Sequence, residues 1–428
     1  MKPSQFNIFF SYNDFIVGYN SLENDFIFIN SELYDLLVNT QYDNIFKLSE
    51  VHPDFWDLLC KKNFYVPADK DEIQCVKELV KSVDDNPEHY HLIINPTMNC
   101  NLKCWYCYET HIVNSKMNDV NIEKIKKHIL SKLSESVVKY FTISWFGGEP
   151  LLCYKQVVLP ILEFVNEHIK DTKIVFSSNF TSNGILINNK MLEYLKLLKV
   201  NHFQITLDGH RDRHNKVRFL KENNGSYDKI FSNIKKCINN RIAVTCRINL
   251  SKETINEDLT NIINDFSDLN ENEKELIDFS FNQVWQEKTD LNNDILDIIS
   301  VFKANNLKTS YNKYHDSVRE SCYGDKKNQA TINFNGDVYK CTARDFKPEN
   351  REGVLMDDGT IEWNDKYYQR MESKFNNPPC LACNILPICN GSCTQHALDN
   401  IGKDYCVHDF DENKKIDIIR EKLLYAIN

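Results

Sequence analysis

The chain has 428 residues, enough for two or three domains each with its own core. With 42% hydrophobic and 26% charged residues it reads as a soluble globular protein, and its net charge of −10 speaks against a nucleic-acid partner, which would need a concentrated basic surface. No apolar run approaches the ~20 residues that span a bilayer, and "MKPSQFNIFFSYNDF" lacks the basic-then-apolar order of a signal peptide. The expected location is therefore cytoplasmic, with no membrane partner and with thiols kept reduced.

Residues 1–88 open on short aromatic and β-branched runs, "FNIFFSY", "FIVGY" and "DFIFIN", which predict strands. Helical patterns follow in "SELYDLLVNT", "HPDFWDLLCKKN" and "DEIQCVKELVKSV", with Ser31 and Asp71 as helix starts. Strands followed by helices make a small α+β unit.

From residue 89 to 310 strand and helix alternate. The predicted strands are "HLIINPT", "YFTISWFGG", "KIVFSSNFTSNG", "HFQITLDG", "AVTCRINLS" and "DFSFNQVW", separated by helical stretches such as "NIEKIKKHILSKL" and "NKMLEYLKLLK". Parallel neighbours need crossover helices, so six such units predict a parallel sheet. Six is fewer than the eight of a closed barrel, so the α/β fold expected is a partial (β/α)6 barrel with an open side. Polar residues and glycines collect at the C-terminal strand ends, where such folds place their chemistry. Residues 311–428 have few long helical patterns, many turn residues and little apolar core of their own; bound metal would supply the missing folding energy.

The cysteines are the anomaly. Of 15, five are scattered (Cys60, Cys75, Cys153, Cys237, Cys246) and read as small core hydrophobes. Three stand together as Cys100, Cys104 and Cys107 in "NPTMNCNLKCWYCYE", just after the first strand of the alternating region. Three thiolates leave one metal position open, whereas structural zinc is normally closed by four ligands. A zinc completed by His91 or His111, and buried thiols without metal, are the alternatives to an iron–sulfur cluster. Seven more cysteines lie between Cys322 and Cys406: Cys322, then Gly336-x4-Cys341, then Cys380-x2-Cys383-x5-Cys389-x3-Cys393, then Cys406. Cys380 and Cys383 with Cys389 and Cys393 could alternatively form a zinc ribbon.

The C-x3-C-x2-C run, with Tyr106 before its last cysteine, resembles the radical S-adenosylmethionine (radical SAM) superfamily. "WFGGEP" resembles that family's second-strand motif, implying that Gly147, Gly148 and Glu149 receive the amino group of SAM. "FSSNFTSNG" and "QITLDG" resemble its third- and fourth-strand segments, implying Asn179, Thr206 and Asp208 near the ribose. "CRINLS" resembles the fifth, implying Arg247 and Asn249 at the methionine carboxylate and nearby, with Val284 on the adenine side. The seven late cysteines, with "GVLMDDGTIEW" and "LPICNGSC", resemble the SPASM extension of radical SAM peptide maturases.

The resemblance implies one SAM-binding [4Fe–4S] cluster on Cys100, Cys104 and Cys107 and two auxiliary ones. Cys380, Cys383, Cys389 and Cys406 would bind the outer auxiliary cluster; Cys322, Cys341 and Cys393 would bind the inner one. It further implies a 5′-deoxyadenosyl radical that abstracts hydrogen, fed by a reductase or a flavodoxin- or ferredoxin-type electron donor.

Residues 1–88 resemble the winged-helix-like domain that captures leader peptides of ribosomally made precursors, the alternative being a mere cap on the barrel. The expected substrate is such a precursor peptide, modified by a crosslink or a related change. In sulfatase-maturating relatives an aspartate following the cysteine of G-x4-C serves as base; here that position is Thr342, which cannot act so near neutral pH. Asp345 is the nearby carboxylate that could substitute. The competing readings are an anaerobic sulfatase-maturating enzyme and a non-catalytic, zinc-organised binding protein.

Overall fold

A computed structural model describes residues 1–41, 45–220, 224–255, 259–310 and 321–427. The chain forms two compact units. One comprises the described residues of Met1–Asn86, Asn312–Lys327 and Tyr368–Asn428, the other those of Pro87–Tyr311 and Asn328–Tyr367.

In the first unit the three aromatic runs form an antiparallel sheet, Asn7–Tyr12, Phe15–Asn20 and Asp25–Ile29, paired in sequence order. Side chains alternate across a strand, so the sheet has two apolar faces. Phe9 and Ile27 face helices Ser31–Gln41 and Pro53–Lys61, packing with Leu37, Phe55 and Leu59. Ile8, Phe10, Val17 and Tyr19 face the other way, onto Ile385, Ile388, Ile418, Ile419 and Leu423. The amino-terminal sheet thus shares a core with the segment carrying the late cysteines. Helix Glu72–Asp84 starts where its sequence predicts, with the Asp71 side chain accepting from the Gln74 amide at 2.9 Å. The carboxy-terminal helix Glu412–Ile427 is the long exception in a segment otherwise built of short helices and turns.

The second unit is one sheet. Its six parallel strands, His89–Asn95, Tyr140–Trp145, Val175–Ser182, Val200–Thr206, Ala243–Leu250 and Ile277–Gln283, are neighbours in chain order. Lys308–Ser310 extends the sheet beyond the sixth strand. Gln329–Asn333 pairs parallel to the first, and an antiparallel meander of Asp337–Tyr339, Gly353–Leu355 and Ile361–Trp363 continues from it. The sheet therefore does not close on itself, as expected of a partial barrel. Residues 328–367, which the sequence groups with the late cysteines, continue this sheet.

One face of the parallel strands carries Leu92, Ile94, Phe141, Ile143 and Trp145 into the helix-covered core. The other face is polar: His89 bonds Thr142, His91 bonds Ser144 and His202 bonds Thr245 through side-chain contacts of 2.8–3.0 Å. No described helix is long and apolar enough to cross a membrane.

A buried ion network holds three chain segments of the first unit together. Lys374 Nζ lies 2.6 Å from Asp84 and 2.9 Å from Asp325, and Asp325 also accepts from Thr394 Oγ1 at 2.7 Å. Arg370, also buried, donates to Thr394 and Gln395. Replacing Lys374 by Met leaves two carboxylates without their cation, so Lys374→Met is expected to cost about 3–5 kcal/mol in denaturant unfolding; an unchanged unfolding midpoint would refute the role of this pair.

Candidate functional site

The loop after the first parallel strand is tied at its root. Thr97 Oγ1 donates to the Ser115 carbonyl at 2.5 Å, the Met98 amide donates to Ser115 Oγ at 2.9 Å, and the Met117 amide to the Pro96 carbonyl at 2.9 Å. Between these ties the chain carries Cys100 and Cys104, both half-buried, and Cys107, exposed. Lys103–Cys104 forms a short antiparallel ladder with Arg218–Phe219, which sets Arg218 opposite Cys104.

Gly147 and Gly148 lie against this loop. A Cβ on Gly147 would stand 2.6 Å from the Thr97 carbonyl oxygen, and one on Gly148 2.4 Å from that of Asn99. Gly147 also has φ +94°, a conformation that favours glycine. The Gly148 and Glu149 amides donate to these same two carbonyls at 3.1 and 2.9 Å. The glycines thus dock the second strand's exit onto the cysteine loop.

Glu149 is fully buried, and its carboxylate accepts from the Leu151 amide (3.0 Å), Ser182 Oγ (2.9 Å) and the Asn183 amide (2.7 Å). Burial pushes its pKa up against these donors. Asn183 donates to Asn101 Oδ1 at 2.7 Å and stands 3.7 Å from Cys100 Sγ. Asn179 lies deeper, in register with Ser144 and His202, so at the third strand's exit Asn183 is the asparagine that meets the loop.

A second constellation surrounds Tyr106. Its hydroxyl donates to Asp208 and accepts from Arg218 Nη1 at 2.6 Å and Asn249 Nδ2 at 3.2 Å. Asp208 Oδ1 accepts from the Asn249 amide at 3.3 Å, and Arg247 Nε donates to Asn249 Oδ1 at 2.8 Å. Thr206 is half-buried beside Arg247 in the strand register. Val284 is buried where the sixth strand exits. His214 Nδ1 accepts from the Asp208 amide at 3.1 Å, its Nε2 meets Ser226 Oγ at 2.9 Å, and Ser226 donates to the Arg218 carbonyl at 2.8 Å. That chain fixes a buried arginine whose Nε–H has no partner among the described residues.

Burial raises all three loop thiols, Cys100 to about 12 and Cys107 to about 11, and Arg218 is the cation that pulls each of them back down. Metal binding requires thiolates, so the Arg218 guanidinium and its unpaired donor suit an anionic assembly at this loop. Of the two histidines considered for a zinc site, His91 bonds Ser144 on the strand, while His111 Nε2 is 3.6 Å from Cys107 Sγ.

Three loops meet beside the cysteines. Tyr108 stacks on Trp285 with centroids 5.1 Å apart, and its hydroxyl donates to the Thr342 carbonyl at 2.8 Å. Asp345 accepts from the Thr110 amide at 2.9 Å and from Thr110 Oγ1 at 2.5 Å. Burial raises the Asp345 pKa, but Thr110 and Lys347 outweigh it and hold the carboxylate below its usual range, which suits an anchor better than a base.

In the first unit Cys380, Cys383, Cys389 and Cys406 line one cavity, together with Tyr405, His408 and Lys415. Asn377 Nδ2 donates to Cys380 Sγ at 2.9 Å, and His408 Nε2 is 3.9 Å from Cys389 Sγ. Lys415, from the carboxy-terminal helix, reaches Cys383 and pairs with Glu412 at 2.5 Å. Burial pushes Cys389 up to about 12. The four thiols surround a volume, and no three described His, Cys, Asp or Glu side chains converge to hold a single metal ion. Cys322 and Cys393 belong to this first unit and Cys341 to the second.

Arg218, Asn183 and Lys415 were not legible as site residues. Arg218 follows the polar helix "RDRHNKV" and Lys415 sits in a lysine pair, both of which read as solvated surface.

Residues 94–266 match the model of the Radical SAM superfamily. A cysteine-type anaerobic sulfatase-maturating enzyme of Clostridium novyi is 32% identical over 154 residues, covering 34% of this chain and 39% of that one. The radical SAM cyclopropyl synthase TigE of Paramaledivibacter caminithermalis is 21% identical over 395 residues, covering 84% and 79%. The match spans 47%, 39% and 38% of the lengths of the first three curated relatives. Among solved structures, Streptococcus suis SuiB shares the fold. Bound to S-adenosylmethionine it superposes with a TM-score of 0.55 at 16% identity, covering 96% of this chain and 100% of that one. Bound to its precursor peptide SuiA, it gives 0.53 at 16%, covering 94% and 98%.

The close contact between the Gly-Gly turn and the cysteine loop yields a test. A methyl group at Gly148 has no room, so Gly148→Ala is expected to destabilise the fold by about 1–3 kcal/mol. It should also displace Cys100, so that a maleimide probe labels the three-cysteine loop faster than in the wild-type protein. Mass-spectrometric mapping of the labelled thiols checks this; unchanged labelling would contradict the docking role.

Proposed function

We propose that the chain, which matches the Radical SAM superfamily over residues 94–266, is an enzyme of radical chemistry and that its substrate is a ribosomally made precursor peptide. When bound, the cluster and SAM supply the carbon-centred radical that takes a hydrogen atom from the peptide. The protein's own part is to hold and shield. Cys100, Cys104 and Cys107 would ligate the cluster, and Gly147 and Gly148 would set the loop's height at the second strand. The free Nε–H of Arg218 would take the carboxylate of SAM, with Arg247 and Asn249 beside it and Asn179, Thr206, Asp208 and Val284 along the nucleoside. Cys380, Cys383, Cys389 and Cys406 would hold an auxiliary cluster, with Lys415 supplying a cation beside Cys383. Cys322, Cys341 and Cys393 enter the proposal of a second one by their order in the chain.

The observation that carries the peptide reading is the amino-terminal sheet. Strand Asp25–Ile29 pairs on one side only among the described strands, with Phe15–Asn20. An extended leader segment can add to such an edge by main-chain hydrogen bonds. Phe28, on that edge, and Phe15 beside it are each 49% exposed and meet edge-on at 6.4 Å, an apolar landing place for alternate peptide side chains. The fold likeness to SuiB covers 94% of this chain.

The likeness to a sulfatase-maturating enzyme favours a second reading, formylglycine formation. Thr342 speaks against it. The residue is buried, its carbonyl holds Tyr108, and its hydroxyl cannot serve as the base.

Anaerobic reconstitution tests the reading. The protein should bind iron and sulfide in place of stoichiometric zinc, and with dithionite it should cleave SAM to 5′-deoxyadenosine. Cys100→Ala should reduce that cleavage at least a hundredfold. A short peptide encoded beside the gene, co-expressed with the enzyme, should change mass. Turnover of a sulfatase peptide to formylglycine would transfer the assignment to the second reading, and stoichiometric zinc without iron would end both.

A further inference from the structure

We propose that Tyr108, Thr110 and Asp345 form a clasp that positions the Cys341 loop against the loop of Cys100, Cys104 and Cys107. The inference rests on the reading of both loops as cluster-bearing and adds a role that their cysteine order does not contain. Its basis is the placement of the ties. Tyr108 adjoins Cys107 and Thr342 adjoins Cys341, so the hydrogen bond between Tyr108 Oη and the Thr342 carbonyl, 2.8 Å, joins the immediate neighbours of two cysteines. Two residues beyond Tyr108 and three beyond Thr342, a second tie between Thr110 and Asp345 closes the pair of loops with bonds of 2.9 and 2.5 Å.

Each end of the clasp is braced. The Tyr108 ring is held by Trp285, whose own loop is fixed by Gln286 Nε2 donating to the Tyr106 carbonyl at 2.9 Å. Arg344 lies over the Trp285 ring at 5.9 Å. The Asp345 carbonyl accepts from Asn350 Nδ2 at 2.8 Å, and Lys347 stands 3.4 Å from its carboxylate. Asp345 is therefore a positioning residue. Both its oxygens are engaged by Thr110, and what it must supply is acceptor geometry.

Asparagine keeps that geometry. Its carboxamide oxygen can accept from the Thr110 amide and its NH2 can donate to Thr110 Oγ1, but it cannot take up a proton as a base. Arg344 offers trypsin one site inside the clasped loop, since the Lys347–Pro348 bond resists the protease. In the reconstituted holoenzyme, Asp345→Ala and Tyr108→Phe should each speed tryptic cleavage after Arg344 at least tenfold. Both should alter the EPR signal of the auxiliary centre proposed at Cys341, while the signals of the Cys100–Cys107 centre and of the four-thiol cavity stay. Asp345→Asn should stay within about twofold of wild type in both measurements. Unchanged protection in Asp345→Ala and Tyr108→Phe would overturn the clasp. So would equal loss in Asp345→Asn and Asp345→Ala, which would make the charge of the carboxylate its function. A wild-type protein that shows no cluster signal would count against the proposed function, and the protease comparison would still judge the clasp.

Discussion

Everything in this protein turns on gathering thiols in places where a thiolate is unfavourable. A sulfur taken out of water resists losing its proton, as Cys100 and Cys389 do here, yet iron–sulfur ligation needs it lost. Each thiol group meets this with one buried cation brought from elsewhere in the chain. Arg218 stands by the three-cysteine loop and Lys415 by the four-thiol cavity. Neither cation is left to chance. Arg218 is held through Tyr106, Asp208, His214 and Ser226, and Lys415 by Glu412 on its own helix.

The same requirement explains the crowding at the strand exits. A loop that presents three sulfurs cannot also pack a hydrophobic face, so its position must come from backbone contacts. The Thr97 and Asn99 carbonyls receive the amides of the Gly-Gly-Glu turn, and the absent Cβ atoms of Gly147 and Gly148 are what let them approach. Glu149 then locks that turn to the third strand through Ser182 and Asn183. The motif residues act here chiefly on one another, as parts of a mount for the cysteines.

Strand order and the partial barrel were legible because alternating apolar patterns and crossover lengths report directly on a parallel sheet. The cysteine groups stand out because their spacing is local in sequence, and the structure gathers Cys380, Cys383, Cys389 and Cys406 around one pocket. The cations were not, since a lysine or arginine in a polar helix has the same pattern whether it faces water or a thiolate. Asn183 was missed for a related reason: "NFTSNG" contains two asparagines, and only the strand register shows that Asn179 sits deeper while Asn183 meets the loop. Asp345 illustrates the reverse error. Its carboxylate is noticeable in sequence as a stand-in base, while its two bonds to Thr110 depend on a loop 235 residues away.

The long-range packing of the first unit carries the least visible consequence. Ile385 and Ile388 lie between Cys383 and Cys389, and they insert into the same core as Ile8, Phe10, Val17 and Tyr19 of the amino-terminal sheet. Interiors are close-packed and transmit displacement, so the spacing of these thiols and the shape of that sheet are not independent. A segment with few long helices and many turns gains its apolar support from strands almost 400 residues earlier in the chain, roughly the full span of the sequence. The edge proposed to receive the peptide and the cavity proposed to hold an auxiliary cluster therefore belong to one cooperative body. Metal bound at the cavity would stiffen the face behind the sheet, and a peptide added at Asp25–Ile29 would lengthen the sheet that seats the thiols.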